Sequence, residues 1–268
     1  MKGKIDGGKI AAEIEKELEK TDRKPRLEIV LVGNHEASRT FVNKKLELAQ
    51  KINFEAHLTE LAEDIDERKL LKKIEKFNKD QEIDGILIQL PLPDHIDENK
   101  VFSTLSPRKD VDGLTPENLG ALVRGDSFIR PAAVEGILTL LEARDIELKS
   151  ENVVIVNNSV LIGRPLGLSL GQEGATVTLC HEKTENLEAH LSSADIIVTA
   201  TGKQGLIEPS DVETDCVVID AGYESGQGDI PNPEEFARKS LIAPVPNGLG
   251  PVTVACTMKN LLKLHRNL

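Results

Sequence analysis

The chain has no tryptophan, one tyrosine and six phenylalanines in 268 residues. Proteins that bind single-stranded nucleic acid by stacking bases on aromatic rings need more such platforms. Positive charge is also scarce, with 33 Lys and Arg against 45 Asp and Glu and a net charge of −12. The mean field therefore repels phosphate, which argues against a general nucleic-acid or anionic-membrane binder. The only cysteines are Cys180, Cys216 and Cys256. They are odd in number and far apart, so they read as reduced core thiols, with neither a disulfide framework nor a metal site expected. The longest apolar runs, such as Val153 to Val156, fall far short of a membrane span. The opening MKGKIDGGKI lacks the apolar core of a signal peptide, so a cytoplasmic protein is expected.

The 39% hydrophobic and 29% charged content is a soluble globular balance. The length suits one large or two ordinary domains. In the first half, helix and strand signals alternate. Helical spacing covers Ile10 to Leu18, Ser38 to Ile52 and Asp66 to Phe77. Apolar runs at Leu27 to Val32 and Ile83 to Leu90 predict strands, the second ended by Pro91-Leu92-Pro93, and Phe54 to Leu58 is compatible with another. Residues 94 to 130 are punctuated by Pro107, Gly113, Pro116, Gly120 and Gly125 and predict an irregular, function-bearing segment. A helix over Ala132 to Ala143 leads into the second half. There, strands at Asn152 to Val156, Thr176 to Leu179, Ile196 to Ala200 and Val217 to Asp220 alternate with helices. That order predicts a doubly wound parallel sheet with ligands at the carboxyl ends of its strands.

The turn after the first of these strands, Asn157-Asn158-Ser159-Val160-Leu161-Ile162-Gly163, lies where a dinucleotide pyrophosphate would meet helix N–H groups. Only Gly163 fits the glycine fingerprint loosely, so a plain helix start with polar capping residues explains the segment equally well. Glu182 follows the second strand about twenty residues further on, where an acid accepts from both ribose hydroxyls and repels a 2′-phosphate. The alternative is a solvated loop glutamate.

From Asp84-Gly85-Ile86-Leu87-Ile88-Gln89-Leu90-Pro91-Leu92-Pro93 through Lys109-Asp110-Val111-Asp112-Gly113, the sequence strongly resembles the methylenetetrahydrofolate dehydrogenase/cyclohydrolase family. Pro244-Val245-Pro246-Asn247-Gly248-Leu249-Gly250-Pro251-Val252-Thr253 is similar to that family too. So, in order, are Asp6-Gly7, Asn118-x-Gly120, Cys180-His181, Ala200-Thr201-Gly202-Lys203, Asp220-x-Gly222 and Gly228-Asp229. The resemblance implies two α/β domains with a folate cleft between them. Residues 1–131 plus 254–268 would bind folate, and 132–253 would form a Rossmann-type dinucleotide domain through which a homodimer associates. The implied activities are oxidation of 5,10-methylenetetrahydrofolate with NAD or NADP and hydrolysis of the methenyl product to 10-formyltetrahydrofolate.

Carried over residue by residue, the resemblance makes Lys45 the catalytic lysine, Gln89 its partner and Asp112 the carboxylate that holds the pterin. Phe41 lies one helical turn before Lys45. Lys45 would transfer protons if burial lowered its pKa, or would stay charged and orient its partners. Asp110 reads as structural. Phe41, Ile88, Leu90, Pro246 and Gly248 would touch folate. Asn158, Ser159, Val160, Glu182, Thr201, Gly202, Tyr223, Gly250 and Thr253 would touch the dinucleotide, with Pro246, Gly248 and Gly250 in one narrow loop.

Several positions depart from the family pattern. Phe41 stands where tyrosine is usual, which removes a hydroxyl near Lys45 and bears on the hydrolase step. Ala132, Ala133 and Val134 replace a Cys-Thr-Pro run, and Asn247 replaces a glycine in the substrate loop, where it tolerates positive φ. Asn158 replaces an arginine and Glu182 a serine; both changes lean towards NAD, whereas the family habit leans towards NADP, with Lys183 or Arg164 as compensating cations. A dehydrogenase with weak cyclohydrolase activity and a non-catalytic nucleotide sensor are the competing readings.

Overall fold

The computed structural model describes residues 1–224 and 226–266. In chain order the first elements are β1 (Gly3–Lys4), α1 (Gly7–Leu18), β2 (Arg26–Val32), α2 (Glu36–Lys51), β3 (Glu55–Leu61), α3 (Glu67–Lys79) and β4 (Gly85–Ile88). Then come α4 (Glu98–Thr104), α5 (Pro116–Arg124), α6 (Ala132–Glu142), β5 (Asn152–Val156), α7 (Gly163–Gln172) and β6 (Thr176–Cys180). The chain closes with α8 (Leu187–Leu191), β7 (Ile196–Thr199), β8 (Val217–Asp220), α9 (Pro233–Lys239), β9 (Leu241–Ala243) and α10 (Leu249–His265). Two compact units result: Met1–Ala12 with Ala133–Thr253, and Glu13–Ala132 with the chain from Val254 onward.

The unit beginning at Glu13 holds a three-stranded parallel sheet in the order β3-β2-β4. Its central strand β2 is buried on both faces after Arg26, and all four residues of β4 are buried. That is why both strands read as mostly apolar runs rather than alternating ones, the buried Glu28 of β2 being held by Thr59 Oγ1 at 2.6 Å. Val30, Val32, Ile86 and Ile88 pack with Leu70 and Ile74 of α3 and with Val101 of α4. A Cβ on Gly85 would run into the side chains of Val111 and of Leu261 on α10, so glycine lets that helix approach the strand.

Residues 94 to 130 are more regular than expected, because they contain α4 and α5. These helices have seven and nine residues, too few for a clear apolar period. They are set instead by end signals: Asp97 and Thr115 cap them, Pro116 opens α5 and Gly125 closes it at φ 80°.

In the other unit the sheet has six parallel strands, ordered β1-β9-β8-β7-β5-β6. Counted from β5 the order is 2-1-3-4-5, a doubly wound sheet with its switch point between β5 and β7. Val154, Val156, Ile197, Val218 and Ile242 form its core with Phe236 of α9. The expectation that residues 1–131 belong with the folate domain differs at the N-terminus. Gly3 and Lys4 pair with Leu241 and Ile242, so Met1–Ala12 cluster here. A two-residue strand has no periodicity to reveal it. The same brevity hid β9 and α9.

Cys180, Cys216 and Cys256 are all buried and none is in a disulfide, and burial pushes the Cys216 thiol up to about 12. Among the described residues no helix is long and apolar enough to cross a membrane. No cluster of potential metal ligands occurs among them either.

Candidate functional site

On α2, Ser38, Val42, Lys45 and Ala49 recur three or four residues apart, and all are buried. This is the stripe an amphipathic helix presents to its sheet. A lysine within it must find a partner, since an unpaired buried ammonium is costly. Lys45, 7% exposed, donates from Nζ to Gln89 Oε1 at 3.0 Å. Gln89 leaves the carboxyl end of β4. Its Nε2 donates to the Leu90 carbonyl at 2.8 Å, and Ser38 Oγ donates to the same oxygen at 3.1 Å. These bonds fix the amide with its oxygen towards Lys45. Ser38, not predicted as a site residue, thus fastens the helix to the turn after β4.

Burial pushes the Lys45 ammonium below the usual lysine range, opposed by the negative charge of Asp112. Asp112 keeps partial solvent access, yet enough protein surrounds its carboxyl to push it above the usual range. Lys45 opposes that rise and Asp110 adds to it. Lys45, Gln89 and Asp112 therefore form one coupled group. Asp110 is a brace: its Oδ2 accepts from Thr115 N at 2.7 Å and from Asn118 Nδ2 at 2.9 Å, holding the start of α5. Asn260 of α10, unmarked in the sequence, donates from Nδ2 to the carbonyls of Val111 at 3.0 Å and Arg130 at 2.9 Å. The segment carrying Asp112 is held from that side.

Phe41 is half-buried one turn before Lys45, with Lys44 Nζ 5.7 Å from its ring centre. Ile88 is 3% exposed and packs in the core beneath β4. Leu90 is partly buried against the same cluster.

In the doubly wound unit, the turn from β5 to α7 is organised by Asn157. Its Oδ1 accepts from Ser159 N at 2.8 Å, Ser159 Oγ at 2.7 Å and Gly163 N at 2.9 Å. Its Nδ2 donates to the Ala200 carbonyl beyond β7 at 2.6 Å, so one side chain ties together both lips of the switch point. Gly163 is required because a Cβ would overlap the Asn157 carbonyl. Asn158 and Val160 are exposed at the turn, and Arg164 donates from Nε to Asn158 Oδ1 at 3.2 Å. Glu182 is exposed just past β6. Thr201 and Gly202 follow β7, with Gly202 at φ 68°, and Tyr223 follows β8, half-buried.

Pro246, Asn247 and Gly248 form a turn before α10, with Asn247 at φ 71° as an asparagine tolerates. Pro246 is exposed and Gly248 buried. Gly7 N donates to the Asn247 carbonyl at 2.7 Å, and a Cβ on Gly7 would overlap the Gly248 carbonyl. The Asp6-Gly7 motif is thereby explained as a close backbone contact. Gly250 and Thr253 lie in the first turns of α10 rather than in the loop, because the helix begins at Leu249. Pro251 is tolerated there, where its missing N–H has no intrahelical partner to lose.

A family profile described as tetrahydrofolate dehydrogenase/cyclohydrolase, catalytic domain, matches residues 2–112. A second, described as the NAD(P)-binding domain of the same family, matches residues 131–268. Bifunctional protein FolD of Aquifex aeolicus is 40% identical over 276 residues, covering 99% of this chain and 94% of the relative. The crystal structure of the bifunctional methylenetetrahydrofolate dehydrogenase/cyclohydrolase FolD from Campylobacter jejuni superposes with a TM-score of 0.93 at 35% identity, covering 99% of both chains. The Trypanosoma brucei dehydrogenase-cyclohydrolase, solved in complex with NADP cofactor and inhibitor, gives 0.93 at 29% identity, covering 100% of this chain and 98% of that one.

Proposed function

Because the chain belongs to the tetrahydrofolate dehydrogenase/cyclohydrolase family, we propose that Lys45, Gln89 and Asp112 carry its folate chemistry and that the β5–α7 turn holds its dinucleotide. The protein is a bifunctional enzyme of one-carbon metabolism. It oxidises 5,10-methylenetetrahydrofolate and hydrolyses the 5,10-methenyl product to 10-formyltetrahydrofolate. The observation that carries the assignment is the Lys45–Gln89 bond beside Asp112 on a buried helix face.

Hydrolysis adds water to the methenyl carbon, removes a proton from the tetrahedral adduct and delivers one to the departing ring nitrogen. A lysine whose ammonium is destabilised by burial releases and regains a proton near neutral pH more readily than a solvated one. Gln89 keeps the Lys45 amine aimed while its protonation changes, because the Leu90 carbonyl fixes the amide. Asp112 accepts paired N–H donors of the pterin in a planar fork. Phe41 supplies an aromatic face without a hydroxyl, so the hydrolase step relies on Lys45 and Gln89.

The turn at Asn158 to Val160, the start of α7 and the Thr201–Gly202 segment surround the switch point where doubly wound sheets bind nucleotides. The cradle fits a dinucleotide: Gly163 brings the helix start against β5, and Asn157 links the two lips. When bound, the nicotinamide supplies the hydride acceptor for the oxidation. Glu182 supports NAD, since a carboxylate there accepts from ribose hydroxyls and repels a 2′-phosphate. Arg164, held at Asn158 Oδ1, favours the second reading, NADP, as does the NADP complex of the Trypanosoma brucei relative. The ratio of kcat/KM for NAD to that for NADP decides: a ratio above one supports the Glu182 reading, and one well below one supports Arg164 as the phosphate partner.

Assembly as a homodimer is supported by the edge strand β6 and by the exposed apolar side chains of Leu179 on that strand, Leu161 before α7 and Leu168 on it. Light scattering at micromolar concentration tests it, with a monomer mass refuting the dimer.

A further inference from the structure

Two buried carboxylates beyond the β7 and β8 strand ends are used by none of the chemistry above. Asp220 ends β8 and is 0% exposed; Asp229 is 1% exposed. Asp229 Oδ2 accepts three hydrogen bonds: from Thr199 Oγ1 at 2.6 Å, Thr201 N at 2.7 Å and Thr201 Oγ1 at 2.9 Å. The Asp229 carbonyl also accepts from Gly205 N at 3.0 Å. The segment that leaves β7 is therefore gripped at Thr201 and again at Gly205. Asp220 in turn fixes Asp229. Its Oδ1 accepts from Gly222 N at 3.0 Å and Asp229 N at 3.1 Å, and its Oδ2 accepts from Ile230 N at 2.9 Å.

The neighbouring glycines interlock with this pair. A Cβ on Gly222 would overlap the Asp229 carboxyl, and a Cβ on Gly228 would overlap that of Asp220. Each glycine makes room for the other motif's acid, so Asp220-x-Gly222 and Gly228-Asp229 form one device. Its output is the placement of Thr201, because Asp229 Oδ2 accepts from both the backbone N–H and the hydroxyl of that residue. Asp229 Oδ1 is buried and has no hydrogen-bond partner among the described residues, so the whole hold on Thr199 and Thr201 runs through Oδ2.

We propose that Asp229 is a positioning residue for the nucleotide-binding segment Ala200–Lys203, with Asp220 as the anchor that sets it. The proposal rests on the reading that Thr201 and Gly202 touch the dinucleotide. It separates the two activities, because hydrolysis of the methenyl substrate consumes no nucleotide.

The test uses the full chain as wild type and as Asp229→Asn. Binding of NAD and of NADP is titrated by calorimetry, and hydrolysis of methenyltetrahydrofolate is followed without nucleotide. Disturbing the acceptor of three buried hydrogen bonds predicts a Kd for the preferred dinucleotide raised about tenfold to hundredfold. Hydrolysis stays within about twofold of wild type. Unchanged nucleotide affinity in a variant that still hydrolyses overturns the proposal. If Asp229→Asn loses hydrolysis as well, Thr199→Val, which removes one of the three bonds without touching the segment itself, replaces it. A several-fold rise in Kd with intact hydrolysis then supports the proposal, and an unaltered Kd overturns it. Wild-type protein that binds neither dinucleotide refutes the site reading on which the proposal stands, a result separable from any effect of Asp229.

Discussion

Replacing Lys45 by methionine isolates what the amine contributes. Methionine has nearly the same length, fills the same 7% exposed slot and carries neither charge nor donor. Two stability effects oppose each other. Gln89 Oε1 loses its donor, at about 1–3 kcal/mol, while removal of a desolvated ammonium returns several kcal/mol of the order that buried ions cost. The variant should therefore fold and melt within a few degrees of wild type. Loss of a positioned proton carrier predicts a hydrolysis rate lower by about 10²- to 10⁴-fold, a barrier raised by about 3–5 kcal/mol. The assay is the decay of methenyltetrahydrofolate absorbance against the spontaneous rate in the same buffer. Folate binding is retained, because Asp112 is untouched. Lys45→Arg separates the two roles open to the amine: arginine keeps the charge but does not release its proton. Full activity in that variant indicates a fixed cation, and loss indicates proton transfer. Hydrolysis by Lys45→Met within threefold of wild type would refute the reasoning.

Phe41→Tyr restores a hydroxyl one turn from Lys45 and should raise hydrolysis several-fold while leaving oxidation unchanged; equal rates for both proteins show the hydroxyl to be irrelevant. Burial pushes Asp220 up to about 6 from an ordinary 3.8. The folded state thus holds a proton that the unfolded chain has released between those values, and stability falls as pH rises through that window and levels above it, by on the order of 3 kcal/mol. Urea denaturation from pH 3.5 to 7 should show this slope in wild type and a shallower one in Asp220→Asn. Gly7→Ala drives a Cβ into the Gly248 carbonyl and should cost about 1–3 kcal/mol, read as a melting temperature lower by several degrees; an unchanged melting point shows that the contact gives way freely.

Elements that bury continuous or periodic apolar faces were legible in the sequence. The runs Leu27 to Val32 and Val153 to Val156 announced an interior strand of each sheet, and Ser38 to Ile52 announced α2. Elements defined by their ends or partners were not. β1 exists because β9 offers it an edge, and α4 and α5 are held by caps. Lys45 carried a readable signal. It lies three residues after Val42 and four before Ala49, inside the apolar stripe, which is no place for a solvated lysine. Asn157 gives no fingerprint, because the turn is organised by a side-chain amide that bonds the groups lining it instead of by glycines. Asp220 and Asp229, nine residues apart, gave no pattern that foretells their pairing.

One chain performs both reactions. Methylenetetrahydrofolate oxidation should be followed with the preferred dinucleotide, recording reduced nicotinamide and methenyl product separately in the same reaction. Two activities predict that methenyl accumulates more slowly than reduced cofactor, by more than its spontaneous hydrolysis explains, and that Lys45→Met closes the gap. Methenyl rising in step with reduced cofactor in the wild-type enzyme would contradict the assignment of the hydrolase to Lys45, Gln89 and Asp112.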